Sequence, residues 1–168
     1  MTTAQQHYDE LLASIYVWMA GGLPSALASG AQDVAALVPG NGLAVDLGAG
    51  FGMHAIPLAR GGYDVVAAAS FHGNLSRPEG SETKPIRAKI AVFHGAADKF
   101  VAPEQLPAVT EEMTQAGADW YLVSFGGAVH SFTVKEAGDD PSTGMAYNEN
   151  ADRRSWEMLK SLLAESFK

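Results

Sequence analysis

The sequence predicts an α/β fold, a three-layer sandwich around a small, mainly parallel sheet of about four strands. Three observations predict it. From residue 42 onward, short apolar runs alternate with helical stretches in the order β-α-β-loop-β-α-β-α, the pattern of a parallel sheet with right-handed crossovers. The apolar runs are nearly continuous, as strands covered on both faces are, and do not alternate with polar residues. Glycine and proline fall between the runs and not within them.

Each element has its own signal. Residues 7 to 20 place Tyr8, Leu11, Leu12, Ile15, Trp18 and Met19 at spacings of three and four, an amphipathic helix stopped by Gly21-Gly22 and Pro24. A second helix covers Gln32 to Val38 and ends at the turn cluster "PGNG". "GLAVDL" is a short buried strand that runs into a glycine-rich turn, and a helix from Phe51 to Arg60 follows, with Pro57 bending it or placed where no amide is needed. "YDVVAAASF" is the second strand and "KIAVFHG" the third, joined by the polar loop "HGNLSRPEGSETKPIRA". "PEQLPAVTEEMTQAG" carries proline near its start and glycine at its end, the punctuation of a helix. "DWYLVSF" is the fourth strand. The closing helix, "ADRRSWEMLKSLLAESF", sets Trp156, Leu159, Leu162, Leu163 and Phe167 on or near one face.

The chain has 168 residues, enough for one domain with a real core, and is 47% hydrophobic and 18% charged, a globular composition. Its net charge of −8, with no cluster of lysine or arginine, argues against nucleic acid as a partner. No apolar run approaches the roughly 18–20 residues that span a bilayer, and the first 22 residues lack the basic start of a signal peptide. A cytoplasmic protein is expected. Cysteine is absent, which removes disulfides, thiolate metal sites and a cysteine nucleophile. Four strands are few for this architecture, so an exposed sheet edge offers a surface for a homodimer.

The turn after the first strand reads Asp46-Leu47-Gly48-Ala49-Gly50-Phe51-Gly52. Glycines in a strand-to-helix turn let the backbone approach a ligand, and a helix N-terminus favours an anionic group. With "YDELLASIYVWMAGG" and "AVDLGAGFGMHAIPLARGGYDVV", this stretch resembles the N-terminal part of class I S-adenosylmethionine-dependent methyltransferases. The resemblance spans about residues 1–67. It implies that Asp46 sits near the cofactor's amino group and that Gly48, Gly50 and Gly52 line it. The acid that such proteins place at the end of the second strand, to hold the ribose, is missing: the strand runs Val65-Val66-Ala67-Ala68-Ala69-Ser70.

From about residue 68 onward, "SFHGNLSRPEG", "KIAVFHGAADKFVAPEQ", "ADWYLVSFGGAVHSFT" and "GMAYNENADRRSWEMLKSLLAESF" resemble the C-terminal half of the dienelactone hydrolase family, which are α/β-hydrolases. The resemblance implies that Asp98 is the triad acid and His130 the triad base, both following strands in the chain order of that fold. The nucleophile belongs at the centre of the preceding strand-to-helix turn, where this sequence has Gly50. Ser70, Ser76, Ser124 and Ser131 lie on no recognisable elbow. His7, His54, His72 and His94 share no metal-ligand spacing, so no metal is expected and each reads as structural or surface.

Together the resemblances imply a chimera, an engineered or recombinant scaffold without native catalysis that needs no cofactor. Two alternatives stand beside it. One is a weak S-adenosylmethionine-binding module built on Asp46 to Gly52. The other is a residual hydrolase of the dienelactone hydrolase type, using Asp98 and His130.

Overall fold

A computed structural model of the chain describes residues 23–37, 43–47, 64–75 and 83–168. Among these, α1 (Leu23–Leu37) is followed by β1 (Leu43–Leu47), β2 (Asp64–Phe71), β3 (Lys89–Gly95), α2 (Gln105–Gln115), β4 (Asp119–Phe125) and α3 (Glu149–Ser166). Two short 3₁₀ turns, Lys135–Ala137 and Pro141–Thr143, lie between β4 and α3. The four strands form one sheet in the order β1-β2-β3-β4, and every pair is parallel. The expected small parallel sheet is therefore present. The expected helices at residues 7–20 and 51–60 lie outside the described residues.

Side chains alternate across a strand, and the residues divide accordingly. Ala67, Ala69, Ala91, Phe93 and Phe125 join Ala151, Leu159 and Leu162 of α3 in one buried cluster, together with Ala128 and Phe132. Phe71 and Val123 pack against the same cluster. On the opposite face of β3, Val92 and His94 are also buried. The middle of the sheet is thus covered on both sides, as its continuous apolar runs require.

The alanines of β2 and β3 decide how close α3 can come. Ala67, Ala69 and Ala91 have no exposed surface, and opposite them α3 buries its own small residues, Ala151 and Ser155, before Leu159 and Leu162. Small against small brings the helix near the sheet, and the leucines fill what remains. This corrects the expected helix face. Trp156 and Phe167 are each half exposed, because the stripe at spacings of four and three runs through Ser155 and turns both aromatics away. Asn148 caps the helix by accepting from the Ala151 amide at 3.0 Å.

One boundary also differs. The sequence puts the second helix at Gln32 to Val38, yet α1 runs from Leu23 to Leu37 and carries Pro24 in its first turn. The first-turn amides have no partner inside a helix, so proline costs nothing there. At the far end of the sheet Lys89 of β3 bonds Asp119 of β4 at 3.0 Å and lies 3.6 Å from Glu165 of α3. These are surface charges of small energetic weight. Among the described residues no helix is long and apolar enough to cross a membrane.

Leu159 is 1% exposed at the centre of the cluster. Leu159→Ala should cost about 2–5 kcal/mol, read as a lower urea midpoint with an unchanged m-value.

Candidate functional site

The C-terminal ends of parallel strands are where an open α/β sheet presents its loops to a ligand. Here β2, β3 and β4 deliver His72, Asp98 and His130 to that edge, each just beyond its strand.

Gly95 closes β3 and makes the assembly possible. A Cβ at this position would lie 2.7 Å from the carbonyl oxygen of Ala128 and 2.8 Å from that of Val129. Only glycine lets the loop after β4 cross so near the end of β3. Two amides then tie the loops together, Ala96 to the Phe125 carbonyl and Ala97 to the Ala128 carbonyl, both at 2.9 Å. The Asp98 amide turns back to the Gly95 carbonyl at 2.9 Å, which aims the Asp98 side chain at the loop from β4.

That loop is fixed in its own right. Gly127 takes a positive φ of 74°. His130 forms an isolated bridge with Met145, its carbonyl accepting from the Ala146 amide at 3.1 Å. The Phe132 carbonyl accepts from Asn148 at 2.9 Å, and Phe132 itself is fully buried.

Asp98 and His130 meet inside this frame. The Asp98 carboxylate is wholly buried and both oxygens are engaged: Oδ1 accepts from the Phe100 amide at 2.8 Å and Oδ2 from His130 Nδ1 at 2.9 Å. A buried carboxylate needs such partners. Because a carboxylate accepts, Nδ1 carries the imidazole proton, which puts the ring's lone pair on Nε2. The His130 side chain is 24% exposed while its acid is not exposed at all. The imidazole is thus held by a sealed carboxylate and partly open to solvent.

The ring of His130 is walled by aromatics. Phe100 meets it edge-on at 5.2 Å, and so does His72, also at 5.2 Å. Spacing alone gives His72 a structural or surface place; the structure sets it in the site. Its only signal in the sequence is position, the first residue beyond β2. Burial, followed by the nearby His130, lowers the His72 pKa to about 4, against the raising pull of its backbone hydrogen bond and of Asp98. His94, buried within β3, is also lowered, chiefly by desolvation.

Asp46 lies in β1, its backbone paired with Ala68 of β2. Gly48, Gly50 and Gly52 lie outside the described residues, as do His7, His54 and Ser76. β2 ends at Phe71 without an acid. Ser70 and Ser124 are strand residues, and Ser131, with φ of 60°, turns the loop beyond His130. Among the described residues no group of three or more His, Asp or Glu is arranged to hold a metal ion.

Two outcomes are expected. Gly95→Ala should destabilise the protein by about 2–3 kcal/mol, since its new methyl meets backbone and not a yielding side chain; urea unfolding measures this. Lowered histidine pKa values mean that the folded protein binds fewer protons than the unfolded chain below about pH 6.5. Stability should therefore fall as pH drops from about 6.5 towards about 4, the folded value of His72. The fall in urea midpoint over that window should be shallower in His72→Asn.

The model of the dienelactone hydrolase family matches residues 48–167. The match reaches back past the boundary near residue 68 that the sequence motifs suggest, and takes in the glycine-rich turn. An uncharacterized protein of Caenorhabditis elegans is 36% identical over 118 residues, which are 69% of this chain and 75% of that protein. A dienelactone hydrolase-like promiscuous phosphotriesterase from metagenomic libraries is similar in structure, with a TM-score of 0.62 and 34% identity, over 75% of this chain and 52% of that one. A protein designated m3DLH gives a TM-score of 0.62 at 32% identity, with the same coverage of 75% and 52%. The chain thus spans about half the length of these two solved structures.

Proposed function

The chain belongs to the dienelactone hydrolase family, and from that premise we propose that it is a slow hydrolase of activated esters in which His130 is the general base and Asp98 orients it. The observation that supports this most directly is the 2.9 Å bond from His130 Nδ1 to the buried Asp98, in an imidazole whose side chain is partly open to solvent.

The attacking group in this reading is water. The chain has no cysteine, and Gly50 stands where the family resemblance expects the nucleophile. His130 Nε2 takes a proton from water as its oxygen adds to the ester carbonyl. The tetrahedral intermediate then expels the alkoxide or phenoxide, which takes that proton from His130. The products are a carboxylic acid and an alcohol or phenol, and the base is restored. Without a covalent intermediate the rate falls by several orders of magnitude, so esters with good leaving groups are the substrates to try. The name of the similar phosphotriesterase adds phosphotriesters to that class.

The joined origin is part of the same proposal. What supports it is the methyltransferase-like stretch of about residues 1–67 and its glycine-rich turn, although the family match also reaches back over that turn to residue 48. A join of that kind accounts for a triad acid and base retained while glycine occupies the nucleophile's turn.

Hydrolysis of p-nitrophenyl acetate, with an aryl phosphotriester in parallel, tests the reading. His130→Ala should lower the catalysed rate about 100-fold, and Asp98→Asn at least tenfold, since the imidazole loses the partner that fixes its tautomer. Equal rates in wild type and His130→Ala would sink the assignment. No hydrolysis above buffer by folded wild type would leave a scaffold without catalysis.

A further inference from the structure

We propose that His72 is a positioning residue for His130: with the Thr133 hydroxyl it clamps the loop from β4, so that the His130 ring keeps its Nδ1 on Asp98. The proposal rests on the reading of His130 as the base and assigns its orientation to a third strand of the sheet.

The geometry carries it. His72 Nε2 lies 2.9 Å from Thr133 Oγ1, a contact between residues 61 apart in the chain. The same imidazole meets the ring of His130 at 5.2 Å and that of Phe132 at 5.4 Å, both edge-on. One side chain from β2 therefore touches three residues of the loop that holds the base. Phe100, from the Asp98 loop, meets the His130 ring in a T-shaped pair with centroids 5.2 Å apart. Aromatic rings from the loops after β2 and β3 thus bound the imidazole, and Asp98 fixes its Nδ1.

His72 also stands in a backbone conformation that needs a reason. Its φ is 41°, and among the described residues only His72 and Ser131 are non-glycine residues at positive φ. The left-handed region is unfavourable for a residue with a Cβ, and such strain persists where the surroundings fix it. Both residues belong to this cluster, one bearing the clamp and the other following the base. The His72 amide still bonds the Phe93 carbonyl at 2.9 Å, so the strain sits on a backbone anchored to β3. An uncharged His72 adds no repulsion when His130 takes a proton.

The test reads the Nδ1 proton of His130 directly, as a low-field signal in the proton spectrum of the folded protein, identified by its loss in Asp98→Asn. Thr133→Val keeps the shape and removes the hydroxyl; His72→Asn suits a positive φ and is too short to reach Thr133. Each should make that proton exchange with water at least tenfold faster, and Thr133→Ser should restore the wild-type signal. On p-nitrophenyl acetate, Thr133→Val should lower kcat about tenfold, the scale of a slightly misplaced group, with KM within twofold. An unchanged signal in folded Thr133→Val, or an equal loss in Thr133→Ser, would overturn the proposal. If His72→Asn does not fold, the Thr133 pair decides alone. The signal needs no turnover, so a protein without hydrolysis would refute the function proposed above and still decide the part played by His72.

Discussion

The absence of a side chain at Gly95 is the constraint on which the site depends. Two parallel strands end beside each other, Gly95 paired with Phe125, and their following loops compete for the space above the sheet edge. Because position 95 carries no Cβ, the backbone at Ala128 and Val129 settles directly over the end of β3. The amides of Ala96 and Ala97 then find carbonyls at the end of β4 and in the loop after it, so the close approach is also a hydrogen-bonded one. Asp98 and His130, 32 residues apart, meet as a consequence of backbone packing. The side chains themselves supply only the last bond.

The same economy of volume acts at the centre of the sheet. Alanines at 67, 69 and 91 let α3 pack close, and the small Ala151 and Ser155 meet them from the helix side. α3 begins where the loop from β4 ends, with Asn148 both capping the helix and donating to the Phe132 carbonyl. The helix that closes the core therefore anchors the far end of the loop that carries His130. Core and site share that loop, and Phe132 belongs to both: it is buried in the cluster and meets the His72 ring at 5.4 Å.

What could be read in advance followed from how local each signal is. β3 and β4 were legible to the residue, since a run such as "KIAVFHG" between charged or turn residues has one reading. Asp98 and His130 were legible because each sits in a short motif at a strand end. The buried face of α3 was not: Trp156 outweighs Ser155 in any hydrophobic count, and only the alanine surface of the sheet makes Ser155 the buried one. The start of α1 was missed for a related reason, since Pro24 reads as the stop of one helix and serves as well in the first turn of the next. Gly95 and His72 were illegible because their meaning is tertiary. Nothing near Gly95 in the chain announces the carbonyls at 128 and 129, and nothing near His72 announces Thr133, 61 residues on.

The form of the Asp98–His130 pair bears on whether it does chemistry or only holds two loops together. A buried carboxylate is tolerable while both oxygens have donors, so the pair is self-sustaining once folded, whatever has become of the nucleophile. A pair retained only as a clasp gains by burying both members, because a hydrogen bond shielded from water is the stronger one. Here the acid has no exposure and the imidazole is 24% open, with its free nitrogen unclaimed by the bond to Asp98. A second imidazole, kept uncharged by burial and by its neighbour, stands against the first without competing for Asp98. An acid sealed from solvent, a partly open imidazole and a neutral ring beside it are the arrangement that the proposed proton transfer at Nε2 calls for.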